Sequence, residues 1–154
     1  MAPEPELIPR RTIHGSVTAL PLKLLPEPLA IARLAADAEV PGWAWRGSFV
    51  SVTRTATELS VVASPAAVTV HARAERTPDG DFGPPTGPAW RALRVEGTLD
   101  FGLTGVLAGL TVPLADAGGS IFAVSTYDTD YVRVRDTQLT AALDALRRAG
   151  HTVT

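Results

Sequence analysis

Gly119-Ser120-Ile121-Phe122-Ala123-Val124-Ser125-Thr126-Tyr127-Asp128-Thr129-Asp130-Tyr131-Val132-Arg133-Val134 holds two short apolar runs either side of a polar segment. Ile121 to Val124 and Tyr131 to Val134 are rich in β-branched and aromatic residues, and the aspartates and threonines between them favour a turn, so the stretch reads as a β-hairpin. Upstream, Leu103, Val106, Leu107, Leu110 and Leu114 recur at helical spacing and predict a helix over 103–117 that Gly118 and Gly119 stop. Downstream, Leu139, Leu143 and Leu146 share one face of a second predicted helix over 137–149, which Gly150 ends. Ala92 to Val95 and the region of Val153 read as the flanking strands.

The predicted order over 89–154 is therefore β-α-β-β-α-β, an α+β split unit with an antiparallel sheet and both helices on one face, the ferredoxin-like plan. An offset of 119 − 47 = 72 places Gly47-Ser48-Phe49-Val50-Ser51-Val52 on Gly119-Ser120-Ile121-Phe122-Ala123-Val124 and Val62 on Val134. A strand, a polar turn and a second strand thus recur, and two units in tandem are expected. The first, over 17–71, is a reduced copy with no recognisable second helix. Residues 1–16 read as a flexible leader, and 72–88, with its run of Pro, Gly and Asp, as a connecting loop.

Composition narrows the function. The chain has 154 residues, 45% of them hydrophobic and 19% charged, which is enough apolar material to bury a core. A net charge of −2 leaves no basic surplus for nucleic acid, and the absence of cysteine excludes a disulfide framework and thiolate metal sites. The proline- and glutamate-bearing start is unlike an export signal, and no apolar run approaches the roughly 18 residues a membrane helix needs. A soluble cytoplasmic protein is expected. His14, His71 and His151 stand far apart, no Gly-x-Ser-x-Gly or His-Glu-x-x-His motif occurs, and Asp128 and Asp130 lack the rest of a calcium loop. Catalysis, a metal and a cofactor are therefore not expected.

The runs Trp90-Arg91-Ala92-Leu93-Arg94-Val95-Glu96-Gly97, Leu99-Asp100-Phe101, Leu103-Thr104-Gly105 and Ser120 through Tyr131 resemble the bacterial tandem ACT-domain family related to the CASTOR arginine sensors, with aspartate-kinase-like ACT domains. The first half agrees through Pro41-Gly42-Trp43-Ala44-Trp45, Ser48 to Thr55 and Glu58 to Val62. The resemblance covers about residues 20 to 154. It implies a non-catalytic regulatory protein that binds an amino acid at an interface between ACT units, in one chain or across a homodimer. Leu103 stands where the arginine sensors carry an acid, so the identity of the amino acid stays open.

A free amino acid presents an ammonium and a carboxylate. Thr104 and Gly105, at the start of the predicted 103–117 helix, can offer backbone N–H groups and the positive end of the helix dipole to the carboxylate. Asp128 or Asp130, in the neighbouring hairpin turn, can pair with the ammonium. The resemblance favours Asp130, adds Thr126 and Tyr127 as pocket lining and Asp100 in the loop before the helix, and draws Ser120 and Ile121 from the edge strand of a facing unit.

Plainer roles stand beside each of these. Thr104 can simply cap a helix, Asp128 and Asp130 can be turn residues, Tyr127 can cover the end of a core, and Ser120 and Ile121 can be ordinary strand residues. Trp43, Trp45 and Trp90 read as core or interface anchors, and Arg147, Arg148 and His151 as a basic helix end that complements the dipole. The alternative to an amino-acid sensor is a ligand-free dimerisation or protein-docking module, with a protein partner in place of a small molecule. A small hydrolase or transferase is a third, weaker reading.

Overall fold

The computed structural model describes residues 19–71, 89–99 and 104–154. In chain order it contains β1 (Pro21–Leu24), β2 (Ala30–Leu34), a 3-10 turn (Gly42–Trp45), β3 (Ser51–Arg54), β4 (Leu59–Ala63) and α1 (Pro65–His71). There follow β5 (Trp90–Val95), α2 (Val106–Asp116), β6 (Ile121–Ser125), β7 (Asp130–Arg135), α3 (Leu139–Arg148) and β8 (Thr152–Val153). The chain divides into two compact units, Pro26–Trp90 and the described part of Met1–Leu25 together with Arg91–Thr154.

In the second of these, the sheet order is β6-β7-β5-β1-β8. β5, α2, β6, β7, α3 and β8 follow one another as the hairpin reading predicts. The sequence places residues 17–71 in the first unit, yet β1 pairs antiparallel with β5 (Leu22↔Val95) and parallel with β8 (Leu22↔Val153). Leu20 and Leu22 are accordingly buried with Leu93, Val95, Leu110, Leu114, Val132, Val134 and Leu146 in one core. Nothing local marks β1 as a strand, because its pairing partners lie some seventy and more residues away in sequence.

Both long helices of this unit end on glycine. Gly118 has φ 74° and Gly150 φ 97°, the left-handed conformation that lets the next N–H reach back five residues: Gly119 to the Leu114 carbonyl at 3.0 Å, His151 to that of Leu146 at 3.1 Å. Pro113 lies inside α2 and has no N–H to give the Gly109 carbonyl four residues earlier. His151 supplies the missing donor. Its ring is 3% exposed, accepts from the Leu20 N–H at Nδ1 (3.1 Å), and with its hydrogen at Nε2 faces the Gly109 oxygen at 3.0 Å. The expectation that His151 belongs to an exposed basic helix end is corrected, whereas Arg147 and Arg148 do lie exposed in the last turn of α3.

On β7, Arg133 is fully buried; its Nε donates to the Phe122 carbonyl at 3.3 Å and its guanidinium carbon sits 4.5 Å from the centre of the Phe122 ring. Burial lowers its pKa to about 10, so it remains a cation at neutral pH.

In the Pro26–Trp90 unit, the sheet order is β2-β4-β3, and Leu29 and Trp90 exchange backbone hydrogen bonds of 2.8 Å on the outer side of β2. Its core gathers Ala30, Ala32, Trp43, Ala44, Leu59, Val61, Ala63 and Val68. The sequence reading finds no second helix here, but α1 forms, with Pro65 at its first position and the Ser64 hydroxyl accepting from the Ala67 N–H at 3.4 Å. The offset of 72 expected between the two hairpins is also corrected. Arg54↔Leu59 flanks one hairpin turn and Ser125↔Asp130 the other, so the hairpins correspond at 125 − 54 = 71. At 72, Val62 would fall on Val134 and exchange the two faces of a strand.

Candidate functional site

The turn between β6 and β7 is built by two threonines. The Thr126 N–H donates to the Thr129 carbonyl at 2.8 Å, the Thr126 hydroxyl donates to the same oxygen at 3.0 Å, and that hydroxyl accepts from the Thr129 N–H at 3.3 Å. Thr129, 8% exposed, then turns its hydroxyl inward to the Val95 carbonyl at 2.7 Å. The Leu99 N–H donates to the Asp128 carbonyl at 2.7 Å. Two hydrogen bonds thus staple the turn to the chain leaving β5, at the entrance to the loop that leads to α2. Thr129 was not among the sequence candidates. The signal was the Thr-x-x-Thr spacing, but burial of one hydroxyl under a neighbouring strand is not local information.

Around this turn, Thr126, Tyr127 and Asp128 are exposed, and Tyr127, at 80%, covers no core. Asp130 is half-buried at the start of β7, where its Oδ1 accepts from the Ser125 hydroxyl at 2.6 Å across the strand pair. Among the described residues Oδ2 has no hydrogen-bond donor. This arrangement leaves one carboxylate oxygen on a well-held backbone, which suits an ammonium or another cationic donor.

Thr104 and Gly105 stand at the N-terminal end of α2 but are not part of it. Gly105 is the residue that caps the helix, with φ 81°, and no side chain caps it, so the plainer alternative for Thr104, a helix cap, does not hold. A side chain at Gly105 would meet nothing within 4 Å but would strain the backbone. Asp100, like Leu103, lies outside the described residues.

Ser120 and Ile121 are not brought to the turn. They sit at the opposite end of β6, about 13–16 Å away along the strand. The Ser120 N–H is taken by the Gln138 Oε1 at 3.2 Å, and Ile121 packs against the core. β6 is an edge strand of its sheet. Trp43 and Trp90 are buried as anchors, but Trp45 is 63% exposed and so lies outside the core. Among the described residues no group of His, Asp and Glu could hold a metal ion, and no helix is long and apolar enough to cross a membrane.

A family model described as the ACT domain matches residues 86–148, the span from β5 to α3. The solved structure of protein Atu0741 from Agrobacterium tumefaciens is similar, with 35% identity over 90% of this chain and 94% of that one and a TM-score of 0.74. This is an ACT-domain protein of the same family as Atu0741. A second family model, described as an N-terminal domain, matches residues 27–69. VC0802 from Vibrio cholerae, described as a protein of unknown function and possible transport protein, is 14% identical over 85% of this chain and 90% of its own, with a TM-score of 0.63; it shares the fold. No curated protein matches. As an ACT-domain protein the chain falls in the class of regulatory small-molecule binders, and the stapled turn lies within the matched domain.

Proposed function

We propose that this ACT-domain protein is a non-catalytic cytoplasmic sensor of a free amino acid, held beside the Thr126–Asp130 turn. The observation that carries the reading is the half-buried Asp130 carboxylate, one oxygen fixed by Ser125 and the other without a donor among the described residues, on a turn stapled to the β5 exit through Val95 and Leu99. Asp130 receives the ammonium. The ligand carboxylate meets backbone N–H groups at the start of α2, where Gly105 leaves room for close approach.

Ser120 and Ile121 enter the site only from a facing unit, and the edge position of β6 supports a homodimer in which that unit comes from a second copy. The Pro26–Trp90 unit is read as a reduced second ACT repeat. It has the same hairpin at an offset of 71 and a strand order that Trp90 extends beside β2, as a final strand does in a ferredoxin-like sheet. This supports a kinship with the tandem ACT sensors.

The test is a thermal-unfolding screen of the purified protein with each of the twenty amino acids. One selective stabiliser is expected, with Asp130→Ala losing at least tenfold in affinity by calorimetry while keeping its fold. If no amino acid shifts the midpoint, the sensor reading fails and a docking module replaces it.

A further inference from the structure

In the Pro26–Trp90 unit, the chain leaves β2 at Leu34 and bends through 35–38, where the Ala38 N–H donates to the Ala35 carbonyl at 3.0 Å. Leu34 pairs with Leu59, so this bend lies beside the hairpin turn of Thr55 to Glu58. That turn is held as its counterpart is: the Thr55 N–H donates to the Glu58 carbonyl at 2.8 Å and the Thr55 hydroxyl accepts from the Thr57 and Glu58 N–H groups at 3.2 Å. Arg33 braces it with an ion pair to Glu58 at 3.2 Å and a hydrogen bond to the Thr57 carbonyl at 3.4 Å.

Between bend and hairpin lies the guanidinium of Arg54, the last residue of β3. Its Nη1 donates to the Ala36 carbonyl and its Nη2 to the Ala38 carbonyl at 2.6 Å. Two acceptors two residues apart, met by the two prongs of one planar cation, form a fork that a single-point ammonium cannot reproduce. Asp37 between them adds negative charge to the bend.

The corresponding place in the other unit is the candidate site, between the chain leaving β5 and the Thr126–Thr129 turn. There the last residue of β6 is Ser125, whose hydroxyl turns to Asp130, and Asp130 occupies the position of Leu59. The ACT-unit hairpin thus closes on Ser125 and Asp130, whereas the other closes on Arg54 and Leu59 and carries its own cation there.

We infer that the bend at Ala36 and Ala38 is a guanidinium-binding notch that the chain fills with its own Arg54, so that each chain offers a ligand one open position rather than two. The notch stands on the Arg54 geometry alone, while the count of open positions rests on the proposed sensor function. Because Arg54 is exposed, a small cation can replace its head once the side chain is removed.

Arg54→Ala is expected to melt roughly 2–6 °C below the wild type, from the loss of two charge-assisted hydrogen bonds. Methylguanidinium chloride at tens of millimolar then raises the midpoint of Arg54→Ala saturably relative to wild type, and equal potassium or tetramethylammonium chloride does not. Parallel responses of variant and wild type to methylguanidinium would overturn the notch. If Arg54→Ala does not fold, Arg54→Lys is measured instead; it is expected to fall below wild type and to gain from methylguanidinium, and a wild-type midpoint would overturn the fork. Calorimetry with whichever amino acid stabilises the wild type should give one equivalent per chain, and two would overturn the count. Rescue without any amino-acid binding would leave the notch standing and refute the sensor.

Discussion

Replacing His151 with alanine strips two buried backbone groups of their partners at once. The Leu20 N–H loses Nδ1 and the Gly109 carbonyl loses the Nε2 hydrogen, which alone stands in for the N–H that Pro113 lacks. A buried polar group left unsatisfied costs about 1–3 kcal/mol, so the two together destabilise by roughly 2–6 kcal/mol, or about 4–24 °C in midpoint for a chain of this size. The decisive measurement is a double-mutant cycle with Pro113→Ala, read by chemical denaturation. Alanine at 113 returns a helical N–H to the Gly109 oxygen, so the substitution should help His151→Ala more than it helps wild type, by about 1 kcal/mol or more. Equal gains in both backgrounds, within about 0.5 kcal/mol, would refute the claim that the imidazole replaces the proline's missing donor.

Thr129→Val keeps the shape of the side chain and removes the hydroxyl that meets the Val95 carbonyl at 2.7 Å. It should cost about 1–3 kcal/mol in denaturation and weaken binding of any amino acid found in the thermal screen, since the turn loses one of its two staples. A chain begun at residue 27 lacks β1 and with it Leu20 and Leu22. Each buried leucine contributes about 1.5–3 kcal/mol, so β5 and β8 should lose hydrogen-exchange protection, and unchanged protection would contradict the pairing of β1 with both strands.

The C-terminal hairpin and its two helices were legible because their signals are local. β-Branched and aromatic runs either side of a polar turn set β6 and β7, leucines at helical spacing set α2 and α3, and Gly118 and Gly150 stop them. Pro21 to Leu24 carries no strand signal of its own and falls without an assigned element in the expected 17–71 unit, since only β5 and β8 make it a strand. The seven residues of α1 are too few for a periodic signal, and Ser64-Pro65 was the one cue. The likeness of the two hairpins shows in the sequence, but the offset of 72 is one residue too long, because matching Val62 to Val134 by type ignores which face each side chain takes. At the site, Asp130 and Thr126 fall where the sequence put them, beside the turn. Thr104 does not cap α2, and the roles of Thr129, Arg54 and His151 depend on carbonyls that only the folded chain brings near.

The place of β1 also orders events in time. During synthesis β1 leaves the ribosome ahead of the other described strands, yet its neighbours β5 and β8 are made much later, and β8 is completed only with Val153. The Pro26–Trp90 unit can close while translation continues, but β1 waits for β5 to find its first partner and keeps its other edge unpaired until β8 has emerged. Such long-range closure slows folding and leaves that strand open to wrong partners, so nascent-chain handling, rather than final stability, is where this topology makes its demand on the cell.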